Sequence, residues 1–189
     1  MEMEVMLVKP ALEHKEQAIK FIEEVEKIDK DEKIRYSGFA DLQKYKSNYE
    51  AWLENIKELE DKVKANEKGL VPQNVFFTIR KKDNKLIGII SIRRELNDFL
   101  YKYGGNIGYS ILPSERRKGY AYKQLLLGLE FCKSVGINRV LIACLEYNIG
   151  SAKTIEKAGG KLENIIVSPK NNEKKKRYWI SLKKKYADI

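Results

Sequence analysis

The sequence predicts a single α/β domain of the α+β kind, with a mixed, mostly antiparallel central sheet flanked by helices in the order β-α-α-β-β-β-α-β-α-β-β. Three observations predict it. Two long stretches begun by Leu12 and Leu42 carry apolar residues at three- and four-residue steps. From Val75 onward the apolar residues come instead in short, β-branched runs separated by turn residues. Within that second region two more helical patterns alternate with strand patterns, as a βαβα unit requires.

Taken in order, residues 4–9 read as the first strand, ended by Pro10. Residues 12–28 read as a helix whose stripe is Leu12, Ala18, Ile19, Ile22, Val25 and Ile28. A polar connection over 29–39 leads to a longer helix with Asp41 as its expected N-cap and a stripe running from Leu42 through Tyr49, Trp52 and Ile56 to Val63. Gly69 and Pro72 close it. Residues 75–80 and 86–93 form an expected hairpin turning at Asp83-Asn84. Residues 106–112 follow as a strand stopped by Pro113, and Ser114 is the expected cap of a helix over 115–134, ended by Gly136. Arg139–Leu145 is an unbroken apolar run, expected to be buried on both faces. A short helix over 148–158 ends at Gly159-Gly160, and strands at 161–167 and 178–182 flank a lysine- and asparagine-rich loop.

Length and composition narrow the class. The 189 residues fit one domain, 1–189, with 43% hydrophobic and 34% charged residues and no apolar run near the ~20 residues of a membrane span. The acidic start Met1-Glu2-Met3-Glu4 lacks the basic, then apolar, layout of a secretory signal, so a cytoplasmic location and no membrane partner are expected. The net charge of +10 raises the question of nucleic acid. Its richest clusters, 174–177 and 183–185, are interleaved with Tyr178, Trp179 and Tyr186, but residues 178–182 alternate like a strand with half its side chains inward. No nucleic-acid partner is therefore expected. Cys132 and Cys144 sit in apolar contexts and read as buried hydrophobes, and His14 reads as a solvated surface residue. No metal-ligand set is present.

Residues 108–121, Gly-Tyr-Ser-Ile-Leu-Pro-Ser-Glu-Arg-Arg-Lys-Gly-Tyr-Ala, carry the chemistry. A strand ends at a proline and a helix begins in a basic turn with one glycine. The first amides of a helix lack internal partners and stand at the positive end of its dipole, so a phosphate can accept several of them. Gly119 admits a ligand to the backbone, and Arg116, Arg117 and Lys118 add charge.

These residues resemble motif A of the GNAT superfamily of N-acetyltransferases, Q/R-x-x-G-x-G/A, with Arg116, Gly119 and Ala121 in its defined positions. Asn148, Ser151, Glu156, Lys157 and Gly159 are similarly placed to that family's motif B. The resemblance covers about 75–182. Within the superfamily, residues 92–97 and 104–109 look most like a bacterial subgroup of acetyltransferases. It implies a GNAT-like domain in which 1–73 forms the acceptor wall and 74–184 the cofactor core, with acetyl-CoA as cosubstrate and no metal. Cofactor contacts would come from Ile111, Leu112, Arg116, Arg117, Lys118, Gly119, Tyr120, Ala121, Asn148 and Ser151. The strands over 106–112 and Arg139–Leu145 would splay around the pantetheine arm, an amide of the former stabilising the oxyanion.

By the same resemblance the acetyl group passes directly to an amine in a ternary complex. Glu95, Asp98 and Glu146 are the candidate bases, and Asn97 and Tyr109 the candidate acceptor contacts. Two departures stand out. Ile155 replaces the tyrosine that in many members reprotonates the departing thiolate, and Gly160 replaces an aromatic. Ser151, Tyr147 or water would then have to serve, or the thiolate would leave without a dedicated acid. A CoA-binding domain without transferase activity is the second reading, and a basic nucleic-acid binder the third. A small-molecule amine is preferred over a protein amine as acceptor, and homodimer and monomer stay open.

Overall fold

Among the described residues, seven strands divide into two antiparallel sheets. β1 (Val5–Val8), β2 (Gln73–Arg80), β3 (Lys85–Arg93) and β4 (Ile107–Ile111) pair in that order. β5 (Arg139–Leu145), β6 (Lys161–Val167) and β7 (Lys174–Ser181) pair in the order β5-β7-β6. The computed structural model describes residues 4–29, 36–169 and 171–182. Met1 to Met3 of the acidic start, residues 30–35 of the expected polar connection, and the basic cluster 183–185 with Tyr186 lie outside them.

Helix α1 (Lys15–Ile28) buries Ala18, Phe21, Ile22 and Val25 against Val75, Phe77, Ile79 and Ile89 of β2 and β3. Each large side chain so buried contributes roughly 1.5–3 kcal/mol. The expected stripe is shorter at both ends, since Leu12 and Ile28 are 59% and 51% exposed. His14 is corrected outright: it is buried, its Nδ1 accepts the Ala11 amide at 3.0 Å, and its ring meets Phe77 edge-on.

The single helix expected from Asp41 to Val63 is three pieces. A 3-10 turn spans Leu42–Tyr45, α2 spans Tyr49–Glu58 and α3 spans Lys62–Glu67. Asp41 does not cap, because its backbone is left-handed at φ 63° and its side chain accepts no amide. Asn48 and Asp61 take the capping roles, accepting the amides of Ala51 and Lys64 at 3.1 and 3.0 Å. Each new cap restarts the helix on a different face, which leaves Val63 exposed.

The helix expected from Glu115 likewise begins later. Residues Pro113–Glu115 make a 3-10 turn, and α4 spans Tyr120–Ser134. Ser114 is no cap; its amide donates to Glu24 Oε1 at 2.5 Å. β7 starts at Lys174 rather than Tyr178, because it lies between β5 and β6 and has backbone partners on both sides. Its alternation holds: Tyr178 and Ile180 are buried. α5 (Ile149–Lys157) and α4 pack with β5 and β7 around a second core of Leu125, Leu129, Cys132, Val140, Ile142, Ile155 and Tyr178. Both cysteines are free and buried, as their context predicts.

The sheets join at one end only among the described residues. The Asn106 amide donates to the Leu141 carbonyl at 2.6 Å, and the Leu141 amide donates to Asn106 Oδ1 at 2.8 Å. Asn106 Nδ2 also donates to the Arg93 carbonyl at 3.0 Å, so one buried side chain ties β3 to β5. Gly105 allows this approach: at φ 79° a β-carbon there would stand 2.5 Å from the Leu141 carbonyl oxygen. Beyond this stitch β4 and β5 have no pairing, and the splay between them is the mouth of the site.

Candidate functional site

The splay opens into a cleft of about 1270 Å³ that runs from the head of α4, between β4 and β5, to the turn before β4. At one end it is a cradle of free amides. Arg117 and Gly119 both adopt left-handed backbone, at φ 61° and φ 81°, which swings the chain into α4. The amides of Arg117, Lys118, Gly119, Tyr120, Ala121 and Tyr122 meet no acceptor among the described residues. Helix geometry leaves such donors at the positive end of the dipole, a built receptor for an anion. Arg117 and Lys153 line the same end without an ion pair among the described residues.

Two cations of the motif point elsewhere. Arg116 grips Asp29 with both terminal nitrogens, at 2.6 and 2.7 Å, and its Nε donates to the Ile111 carbonyl at 3.0 Å. Its guanidinium therefore braces the loop. Lys118 turns back to Ser114 and Glu115, at 3.1 and 3.0 Å, and does not line the cleft. Glu115 is a buried anchor held by Arg80, Lys85 and Lys118. Burial works against its ionisation, but hydrogen bonds from Lys85 and Lys118 and the charge of Arg80 outweigh it and hold the carboxyl at about 2.

Of the other expected cofactor contacts, Ile111, Gly119, Tyr120, Ala121, Asn148 and Ser151 line the cleft. Leu112 does not; it is buried in the first core and its amide bonds to the Ile87 carbonyl. Asn148 caps α5, its Oδ1 accepting the Ser151 amide at 3.1 Å. Midway along the cleft the Tyr109 hydroxyl lies 3.0 Å from Ser151 Oγ. Burial pushes that phenol up to about 12, with Ser151 pulling it down in part. Cys144, beside the same Ser151, is pushed up to about 11 by burial. Ile155 is fully buried in the second core and presents nothing to the cleft.

The three candidate bases stand apart. Glu95 is paired with Lys62 at 2.6 Å, Glu146 faces Lys174 at 3.9 Å, and Asp98 is exposed on the connection after β3. None of them lines the cleft. Asn97 does line it, with Oδ1 capping the next turn through the Leu100 amide at 2.9 Å.

The far end holds residues that the sequence reading passed over. Arg93 leaves β3 beside the stitch and donates to the Gly105 carbonyl at 3.3 Å. Lys175 of β7 donates to the Tyr103 carbonyl at 3.1 Å. Burial pulls both below their ordinary values; on Lys175 the charge of Glu173 opposes that pull and the charge of Arg93 adds to it. Arg93 carried no signal beyond ending a strand, and Lys175 was hidden in what read as a lysine-rich loop. Gln43 also lines the cleft, and its Oε1 is buried without a donor among the described residues. The described residues hold no cluster of metal-ligating side chains and no helix long and apolar enough to cross a membrane.

Residues 6–161 match the family model of the acetyltransferase (GNAT) domain. A search of curated proteins returns no significant sequence match. Among solved structures, a microcin C7 self-immunity acetyltransferase in complex with acetyl-CoA and AMP superposes with a TM-score of 0.66 at 20% identity, covering 94% of this chain and 92% of that one. The Salmonella typhimurium enzyme that modifies the N-terminal serine of ribosomal protein L7/L12 gives a TM-score of 0.66 at 15% identity, with 95% of each chain covered. A chimera built on the spermidine N-acetyltransferase of Vibrio cholerae gives 0.62 at 15% identity, covering 94% of this chain and 95% of that one. At these identities the likeness is one of fold.

Proposed function

This chain belongs to the GNAT acetyltransferase family, and from that premise we propose that it moves the acetyl group of acetyl-CoA directly to an amine within a ternary complex. The observation that carries the reading is the row of unbonded amides from Arg117 to Tyr122, opening into the same cleft as the β4–β5 splay. The amides, with Arg117 and Lys153, would hold the pyrophosphate, and the unpaired edges of β4 and β5 would take the pantetheine amides. Ile111, Gly119, Tyr120, Ala121, Asn148 and Ser151 would line the bound cofactor, Arg116 and Lys118 serving through backbone and bracing. Residues 74–184 form the cofactor core of the domain, while Gln43, Asn55, Leu59 and Gln73 support an acceptor wall within 1–73.

In the reaction the neutral amine nitrogen attacks the thioester carbon, the C–S bond breaks, and the thiolate takes a proton. The Tyr109–Ser151 hydroxyl pair is placed to supply that proton in the role Ile155 lacks. With Glu95, Asp98 and Glu146 away from the cleft, the ammonium proton passes to water. The cationic lining from Arg93 and Lys175 favours the neutral form of an amine beside it.

A melting scan with and without acetyl-CoA tests the reading. Stabilisation of about 2.7 kcal/mol is expected at a hundredfold excess over Kd. Gly119→Trp should remove the shift, because the left-handed backbone at φ 81° is strained for any side chain and an indole there would occupy the space proposed for the pyrophosphate. No shift at millimolar acetyl-CoA would overturn the reading.

A further inference from the structure

Arg93 and Lys175 are two cations brought into one part of the cleft, where the charge of Glu173 acts on Lys175 at a distance but no carboxylate is in contact with either among the described residues. Neither makes an ion pair among the described residues, and each is held by a single carbonyl, of Gly105 and of Tyr103. Holding two like charges partly out of water and within each other's field is costly, and most of the guanidinium's five donors are unused. The carboxylates that line the cleft are engaged elsewhere: Asp29 with Arg116, Asp41 with Lys44, and Glu115 with Arg80, Lys85 and Lys118.

Their place in the fold separates them from the phosphate cradle. The Arg93 amide bonds to Asn106 at the start of β4, whereas the cradle begins beyond Ile111 at its other end. Five strand steps of about 3.3 Å from Asn106 to Ile111 put roughly 16 Å between those ends, too far for one arginine to serve both. The stretch that carries Tyr103 and Gly105 includes a turn of π-helix over Leu100–Gly104, a feature often found where a loop shapes a site.

We propose that Arg93 and Lys175 form a subsite for an anionic group on the acceptor itself, a carboxylate or phosphoryl group carried near the amine that is acetylated. The inference rests on the reading of the cleft as an acetyl-CoA site. The planar guanidinium offers paired donors to such a group, and the ammonium adds a point charge. The unpartnered Oε1 of Gln43, on the same cleft, suits an N–H of the acceptor. A polyamine would bring like charge to this lining and is disfavoured.

The test uses matched pairs with CoA saturating the cradle: glycine against glycinamide for the carboxylate arm, and 2-aminoethyl phosphate against ethanolamine for the phosphoryl arm. In melting scans the anionic member of at least one pair is expected to add a shift that its neutral partner does not. In thiol-release assays with acetyl-CoA it should show about tenfold or higher kcat/KM, the worth of one charge-assisted hydrogen bond. The arm that responds identifies the anion. Arg93→Gln and Lys175→Gln, singly and together, should bring the ratio toward one while the shift with CoA alone persists, which also reports that the variants fold. The subsite is overturned if neutral members or spermidine are used as well as the anionic ones, or if the preference survives the double variant. A protein that shows no shift with CoA fails the cleft reading instead, and the dependence of the anion-induced shift on Arg93 and Lys175 still decides the subsite.

Discussion

Gly160 lies against Ile155 so closely that a β-carbon at position 160 would stand 2.5 Å from Ile155 Cγ2 and 2.8 Å from its carbonyl oxygen. The two departures from the family pattern are thus one packing arrangement. A branched side chain at 155 fills the second core, and the chain leaves α5 over it with no side chain of its own. Gly160→Ala is expected to destabilise by about 1–3 kcal/mol through overpacking, read from the midpoint of urea unfolding. Ile155→Val should not restore it, because the carbonyl contact remains. Ile155→Tyr should melt lower and turn over no faster, since position 155 points away from the cleft.

Tyr109→Phe removes the hydroxyl that meets Ser151 while keeping the ring. With the phenol held near 12 by burial, the group is protonated throughout the working pH range and is a donor. A fall in kcat of roughly 10- to 100-fold is expected, with the acetyl-CoA melting shift retained. An unchanged kcat would remove Tyr109 from the chemistry.

Asn106→Ala removes the side-chain half of the stitch between the half-sheets and keeps the backbone bond to the Leu141 carbonyl. It leaves the Arg93 carbonyl and the Leu141 amide without their buried partners, at a cost of about 2–4 kcal/mol. Hydrogen exchange at Leu141 should accelerate more than exchange in the β2–β3 hairpin. Uniform acceleration would mean that the stitch has no local role.

Glu115 makes stability fall in acid. Its folded value of about 2 lies below the ordinary value near 4.3, so the contribution is complete above about pH 5 and is lost as pH falls toward 2. The group is buried, and the shift corresponds to on the order of 2–3 kcal/mol. Glu115→Gln should abolish that limb of the stability–pH curve and destabilise the protein at neutral pH, because Arg80, Lys85 and Lys118 lose their shared anion.

The strands, the helices α1, α4 and α5, and the turn of free amides ahead of α4 were legible because each rests on local chemistry: β-branched runs, helical stripes, Pro113 and Gly119. Caps were less so. Asp41 and Asn48, or Ser114 and Gly119, are near-equivalent starts by residue type, and only the packed structure chooses between them. Arg116 read as a phosphate ligand because its partner, Asp29, lies 87 residues away in sequence. His14 read as solvated because nothing local announces Phe77 beside it. Arg93 and Lys175 were illegible for the same reason: their approach to one another belongs to the cleft and not to either segment.

The grip of Arg116 on Asp29 makes the head of the cofactor loop and the end of α1 one mechanical piece. Further along the chain, Ser37 accepts a hydrogen bond from Ser110 of β4, so the same N-terminal region crosses the strand that a cofactor would pair with. A molecule seated on the loop stiffens the wall on which the second molecule must land. For the proposed reaction this favours compulsory order: cofactor first, amine second, and free thiol last to leave.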